Sequence, residues 1–253
     1  GGMAAEIRAG ISFGLCGFSF WSHDVGGFTD VPEPDLYARW LGFGVFTSHT
    51  RCHGQPPREP WEFGKEFTDV FRRTVELKYR LMPYVYAQAA DCAERGLPMV
   101  RGLFVEYPND PTSWQVEDEY LFGRDLLVAP LLEDGARARR VYLPPGTWHD
   151  FASGATHEGG RWHEVAAGEV PVVVLVRDGA ALPMAEVVRS TDDLDWGRLT
   201  LRVFAVHGRE ATGLVCLPDE GTLHELHLTK EGDGWKLRDD PAAGRVTWTV
   251  AGP

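Results

Sequence analysis

Two rhythms of apolar and polar positions divide this chain. Up to about Arg95, glycine-rich apolar runs alternate with stretches of helical spacing. Beyond Leu97 the apolar residues fall into short runs separated by turn residues. In the first part, residues 4–9 read as a helix and residues 11–21 as an apolar, aromatic run with a strand at 15–21. A loop follows over 22–34, then a short helix over 35–41, a second buried strand over 44–48 and a proline-containing loop over 49–61. Phe67, Val70, Phe71, Val75 and Leu81 recur close to helical spacing. Pro83, which has no N–H to donate, must kink that helix or start another. The next helix runs to Glu94, with Gly96 as its C-terminal cap and Pro98 as its stop.

The second part reads as β. Strands are predicted over 99–106, 126–130, 140–143 and 172–177, with a turn at Pro144-Pro145-Gly146. Further short strands follow over 199–206, 213–217, 223–229 and 245–250. The order is therefore α/β then all-β: the last βα units of a (β/α)₈ TIM barrel followed by two β-sandwich domains. The expected divisions are 1–96 for the C-terminal portion of the barrel, 97–184 for a proximal β-sandwich and 185–253 for a distal one. A closed barrel needs eight strands, and only two precede the β blocks, so the chain is expected to be the C-terminal part of a longer protein.

Composition narrows the chemistry. With 43% hydrophobic residues among 253, a sizeable core is assured. A net charge of −12 repels phosphate backbones and anionic headgroups, so neither nucleic acid nor membrane is an expected partner. Cys16, Cys52, Cys92 and Cys216 form no C-x-x-C pair, which points to reduced thiols, a cytoplasmic location and no metal cluster. No cofactor is expected.

Two clusters fall where a barrel presents its catalytic face, at the C-terminal ends of the strands. One is Trp21-Ser22-His23-Asp24 with Phe28, the other Arg51-Cys52-His53. A carboxylate flanked by aromatic rings suits sugar recognition, because rings stack on C–H faces and carboxylates accept from hydroxyls. Asp24 reads equally as a turn cap or as an ion-pair partner of Arg51. His53 can donate to a hydroxyl, or be an ordinary hydrogen-bonded loop side chain. Arg51 would brace Asp24. His49 and His53 have zinc-like helical spacing but lie in strand and loop, so no metal site is expected. Tyr84, Tyr86, Trp148 and Trp162 read as packing, and Glu117-Asp118-Glu119 as a solvated helix start.

The run Phe20-Trp21-Ser22-His23-Asp24-Val25-Gly26-Gly27-Phe28, followed by Ser48-His49-Thr50-Arg51-Cys52-His53-Gly54 and Pro60-Trp61, resembles glycoside hydrolase family 31, most closely its α-xylosidase branch. The match continues through Leu77-Lys78-Tyr79-Arg80-Leu81-Met82-Pro83-Tyr84, Phe122-Gly123-Arg124-Asp125-Leu126-Leu127 and Tyr142-Leu143-Pro144-Pro145-Gly146-Thr147-Trp148. The resemblance implies a retaining α-glycosidase acting on terminal α-linked xylose or glucose, with the choice between them open. It implies that Trp21, Asp24, Phe28, Arg51 and His53 line the subsite for the terminal sugar. It also implies that the nucleophile and acid/base lie upstream, so that this chain holds no catalytic residue and is inactive alone. The expected partners are an oligosaccharide substrate and either the preceding part of the same enzyme or further copies of the chain. The competing readings are a non-catalytic carbohydrate-binding or structural β-sandwich module, and a degenerate product that folds poorly.

Overall fold

The computed structural model describes all 253 residues, Gly1–Pro253. Four helices of two turns or more come first: α1 (Gly2–Leu15), α2 (Pro34–Gly44), α3 (Lys65–Arg80) and α4 (Met82–Arg95). α3 and α4 meet where Pro83 takes the first turn of the second helix, a position at which its missing N–H costs nothing. Gly96 then closes α4 in the left-handed conformation, with φ of 67°. No helix is long and apolar enough to cross a membrane.

Two corrections concern the expected barrel strands. α1 continues to Leu15, and residues 45–49 are turns and bends rather than a strand. What remains of the parallel pairing is one bridge, Asp24 opposite Arg51, with Val25 N–H donating to the Arg51 carbonyl at 3.2 Å. A strand exists only as far as a neighbour completes its ladder, and these two segments meet at a single point.

The segment after α2 nevertheless runs through the interior, and its carbonyls are satisfied by side chains. Thr47 and Thr50 hydroxyls donate to Gly44 O at 2.7 and 2.9 Å. Lys78 Nζ donates to Val45 O at 3.0 Å and to Thr47 O at 2.7 Å, and Tyr120 OH to Phe46 O at 3.0 Å. Burial pushes the Lys78 ammonium down to about 7, while both carbonyl acceptors favour the proton staying on.

After β1 (Val100–Arg101) a short helix, α5 (Leu103–Glu106), replaces the longer strand expected over 99–106. The first β block then adds β2 (Tyr120–Phe122), β3 (Leu126–Pro130), β5 (Thr147–Asp150), β6 (Thr156–Glu158) and β8 (Val172–Arg177) in one sheet of order β1-β2-β3-β8-β5-β6. Against it stands the pair β4 (Ala138–Leu143) and β7 (Arg161–Ala166), and the apolar core between them includes Leu127, Val141, Trp148 and Leu175. The other face of the sheet packs on the helical part, with Tyr120 edge-on to Phe43 and Phe122 edge-on to Phe46.

The second block is one six-stranded sheet of order β13-β12-β11-β9-β10-β14. It comprises β9 (Ala180–Met184), β10 (Arg198–Phe204), β11 (Glu210–Cys216), β12 (Leu223–Glu231), β13 (Gly234–Leu237) and β14 (Thr247–Ala251). β9 falls inside the 97–184 division of the sequence reading but hydrogen-bonds into this second sheet. The acidic run at 117–119 is also not a solvated helix start. Glu119 is fully buried and accepts from Tyr142 N–H at 3.0 Å, and burial pushes its carboxyl up to about 8.

Replacing Lys78 by Met keeps the apolar stem but orphans two buried carbonyls. At roughly 1–3 kcal/mol for each unsatisfied group, Lys78→Met lowers unfolding stability by about 2–5 kcal/mol, read from the urea midpoint at unchanged m-value.

Candidate functional site

The Asp24–Arg51 bridge is the geometric centre of the site. Arg51 Nη2 lies 2.8 Å from Asp24 Oδ1, close enough for an ion pair but not aligned as a hydrogen bond. The Arg51 side chain is 56% exposed and that of Asp24 20%, so the pair orients the carboxylate more than it stabilises the fold. Gly26 and Gly27 follow with φ of 87° and 86°, a left-handed pair that turns the chain sharply out of the bridge. The turn carries Phe28 to a position where its ring is 5.5 Å from that of His53, at 42°. Both side chains are exposed, and Gln55 N–H donates to Phe28 O at 2.8 Å, tying the two loops together. His53, Gln55 and Arg58 border a depression of about 550 Å³.

Trp21 precedes Asp24 by three residues. It is buried, and its backbone exchanges hydrogen bonds with the Ser48 hydroxyl at 2.9 and 2.7 Å. Gly10 of α1 packs so closely on the indole that a Cβ there would meet the ring at 1.9 Å. His23 is buried beside it, its ring stacked on Phe43 at 4.3 Å and 10°. Burial lowers the His23 pKa to about 4, with Asp24 opposing and Arg51 assisting the shift. Both His23 nitrogens, Trp21 Nε1 and Trp40 Nε1 are buried without a hydrogen-bond partner. Such groups are rare in folded interiors.

Of the five residues singled out from the sequence, the structure pairs Asp24 with Arg51 and Phe28 with His53, and it buries Trp21 with its backbone held by Ser48. His49 points elsewhere, its Nδ1 3.1 Å from Ser48 Oγ. No group of three or more His, Cys, Asp or Glu side chains converges as metal ligands.

Sequence reasoning missed two contributors. Glu6, on α1, has its carboxyl raised by burial and then by the Asp24 charge, so it faces the same locus. Its only sequence signal is being the one acid in a helix of small and apolar residues. Arg58 is buried and donates to Gly27 O at 2.7 Å and Asp30 O at 2.6 Å, holding the two loops against each other. Gly54 leaves room for that guanidinium, which a Cβ would meet at 2.7 Å.

Residues 1–88 match the glycosyl hydrolases family 31 TIM-barrel domain, and residues 96–182 the glycosyl hydrolase family 31 C-terminal domain. The chain belongs to glycoside hydrolase family 31. Among family 31 relatives, an α-glucosidase 2 of Bacillus thermoamyloliquefaciens is 34% identical over 214 residues, covering 83% of this chain and 27% of that protein. An α-xylosidase of Lactiplantibacillus pentosus is 40% identical over 185 residues, covering 70% of this chain and 24% of that one. The chain spans about a quarter of the length of these curated relatives. A solved family 31 dextranase of Flavobacterium johnsoniae, in a mutant form complexed with isomaltotriose, superposes with a TM-score of 0.84 at 33% identity, covering 93% of this chain and 31% of that one. The α-xylosidase of Xanthomonas citri gives 0.83 at 28%, covering 99% and 30%.

Two outcomes test this geometry. Arg51→Ala changes thermal stability by less than about 1 kcal/mol, as expected of a largely exposed ion pair. His23 makes the fold acid-sensitive. Its folded pKa of about 4 lies below the ordinary 6.5, so across that window the unfolded chain binds the extra proton and stability falls as pH falls. Glu119 contributes the opposite slope, so the informative quantity is a difference between proteins. His23→Leu shows a smaller loss of melting temperature between pH 7 and pH 5 than the wild type.

Proposed function

We propose that this chain is the C-terminal part of a retaining α-glycosidase that releases terminal α-linked xylose or glucose from oligosaccharides. In this reading it supplies residues of the terminal-sugar subsite and not the nucleophile or acid/base. The carrying observation is that the same two segments, bridged at Asp24 and Arg51, bear both the Asp24 carboxylate paired with Arg51 and, a few residues on, the exposed Phe28 ring beside the His53 imidazole. A pyranose has an apolar face for a ring and hydroxyls for a carboxylate acceptor and an imidazole donor. The activities of the relatives support the substrate class, and the isomaltotriose complex of the dextranase supports an oligosaccharide partner.

Retaining hydrolysis needs two carboxyl groups about 5–5.5 Å apart, one of them the nucleophile. Asp24 is engaged by Arg51, and Glu6 reaches the locus from a helix rather than from a strand end. Neither placement suits a nucleophile aimed at a sugar carbon. The preceding βα units of the barrel would supply the pair and would cover the exposed Phe13–Phe18 stack, with Leu15 and Phe20 beside it. The four free thiols are compatible with a cytoplasmic location.

The isolated chain is expected to show no turnover of aryl α-xylosides or α-glucosides. In NMR titrations with xylose and glucose, Asp24→Ala weakens binding by at least about tenfold, the equivalent of one charge-assisted hydrogen bond. Hydrolysis that co-purifies with the chain and vanishes in Asp24→Ala would overturn the proposal.

A further inference from the structure

One cavity of the chain shares no lining residue with the cluster of Asp24, Phe28, Arg51 and His53. It measures about 620 Å³, within the range of roughly 300–1,000 Å³ typical of small-molecule sites. It forms where four parts of the chain meet: the second half of α3, the corner after β5, the stretch from the end of β7 into β8, and β10 of the second sheet. The loop carrying His53 and Arg58 leads into the first turn of α3, whereas the cavity takes Arg73, Glu76 and Arg80 from farther along this 16-residue helix. At 1.5 Å per residue the helix is about 24 Å long, so its two ends serve separate places.

The charges around this cavity are unusual. Arg73, Arg80 and Arg202 face it with Glu76, Asp150 and Glu169, three of each sign. None of the six makes an ion pair within 4.0 Å, even though Glu76 is spaced three and four residues from two of the arginines. Arg202 is half-buried and fixed: its guanidinium sits 4.8 Å over the rings of both Phe151 and Phe204. Stacking holds the plane and leaves the N–H groups directed sideways, with no acceptor in the protein. The lining also includes Leu77, Val172 and Val174.

We propose that this cavity is a second carbohydrate site, binding a short neutral oligosaccharide apart from the Asp24 cluster. An anionic ligand gains from the arginines and loses to the carboxylates, because the lining sums to no net charge. A polyhydroxylated ligand fits both. Each hydroxyl accepts from a guanidinium on one side and donates to a carboxylate on the other, and C–H groups cover the apolar wall. Binding in this cavity is independent of the role proposed for Asp24.

The test uses the full chain in an Asp24→Ala background, titrated by calorimetry with maltotriose and isomaltotriose. Binding that persists there, and that falls at least tenfold when Ala166→Trp is added, supports the site. Ala166 is exposed at the cavity rim, so the indole fills the space without disturbing a core. Arg202→Met gives the same loss by removing the stacked donor. Thermal melts verify that each variant folds, and if Arg202→Met does not fold, Ala166→Trp alone decides. Three outcomes overturn the proposal: no binding at millimolar sugar in the Asp24→Ala background, binding indifferent to Ala166→Trp, or displacement of the sugar by inorganic phosphate. The first would leave the reading of the Asp24 cluster intact.

Discussion

The constraint on which this structure turns is the need to pair the carbonyls of residues 44–47. The chain crosses the interior there without a sheet ladder, and a buried carbonyl with no donor costs as much as a broken hydrogen bond. Local side chains and two distant elements supply the donors: Thr47 and Thr50 from the segment itself, Lys78 from α3 and Tyr120 from β2. That arrangement explains a buried lysine with no carboxylate beside it. It also explains why α3 and the first sheet are locked to the same few residues. Ser48, which holds Trp21, follows directly, and Arg51 and His53 lie a few residues on. The pairs Asp24–Arg51 and Phe28–His53 are therefore placed by a buried hydrogen-bond network to which they do not themselves belong.

A second layer of positioning comes from Arg58. By donating to Gly27 O and Asp30 O it fixes the Phe28 loop to the loop that carries His53. The exposed pair Phe28–His53 thus rests on a buried guanidinium, and Gly54 is kept small by it. These surface residues are held by a buried charge as well as by packing.

Much of this was legible in the sequence. The spacing of Phe67 to Leu81, the proline at the start of α4 and Gly96 at its end set the helices correctly, because each signal is local. The motif around Asp24 and His53 led to the family. What could not be read depends on partners far away in the chain. The runs at 15–21 and 44–48 have strand-like composition, but periodicity carries no information about whether a ladder neighbour is present. Glu119 belongs to an acidic run that looks solvated. Its burial is decided by Tyr142 and Arg139, some twenty residues on in β4. Arg58 gave no signal of its own, because donation to backbone carbonyls requires no particular partner type.

One corner of the molecule bears on how it could be inherited. β8 and β9 are separated only by Asp178 and Gly179, yet they belong to different sheets. Asp178 Oδ1 lies 2.7 Å from His149 Nε2 in the first sheet and accepts from Val206 N–H, beyond β10, at 2.9 Å. Gly179 donates to Phe204 O and accepts from Thr212 N–H. The family 31 C-terminal match, which ends at residue 182, cuts through β9 itself. A recombination event at that sequence boundary would hand one descendant a strand without a sheet and the other a sheet missing a central strand. The two β blocks are thus poor candidates for independent shuffling, and a lineage that kept the first would be under pressure to keep the second as well.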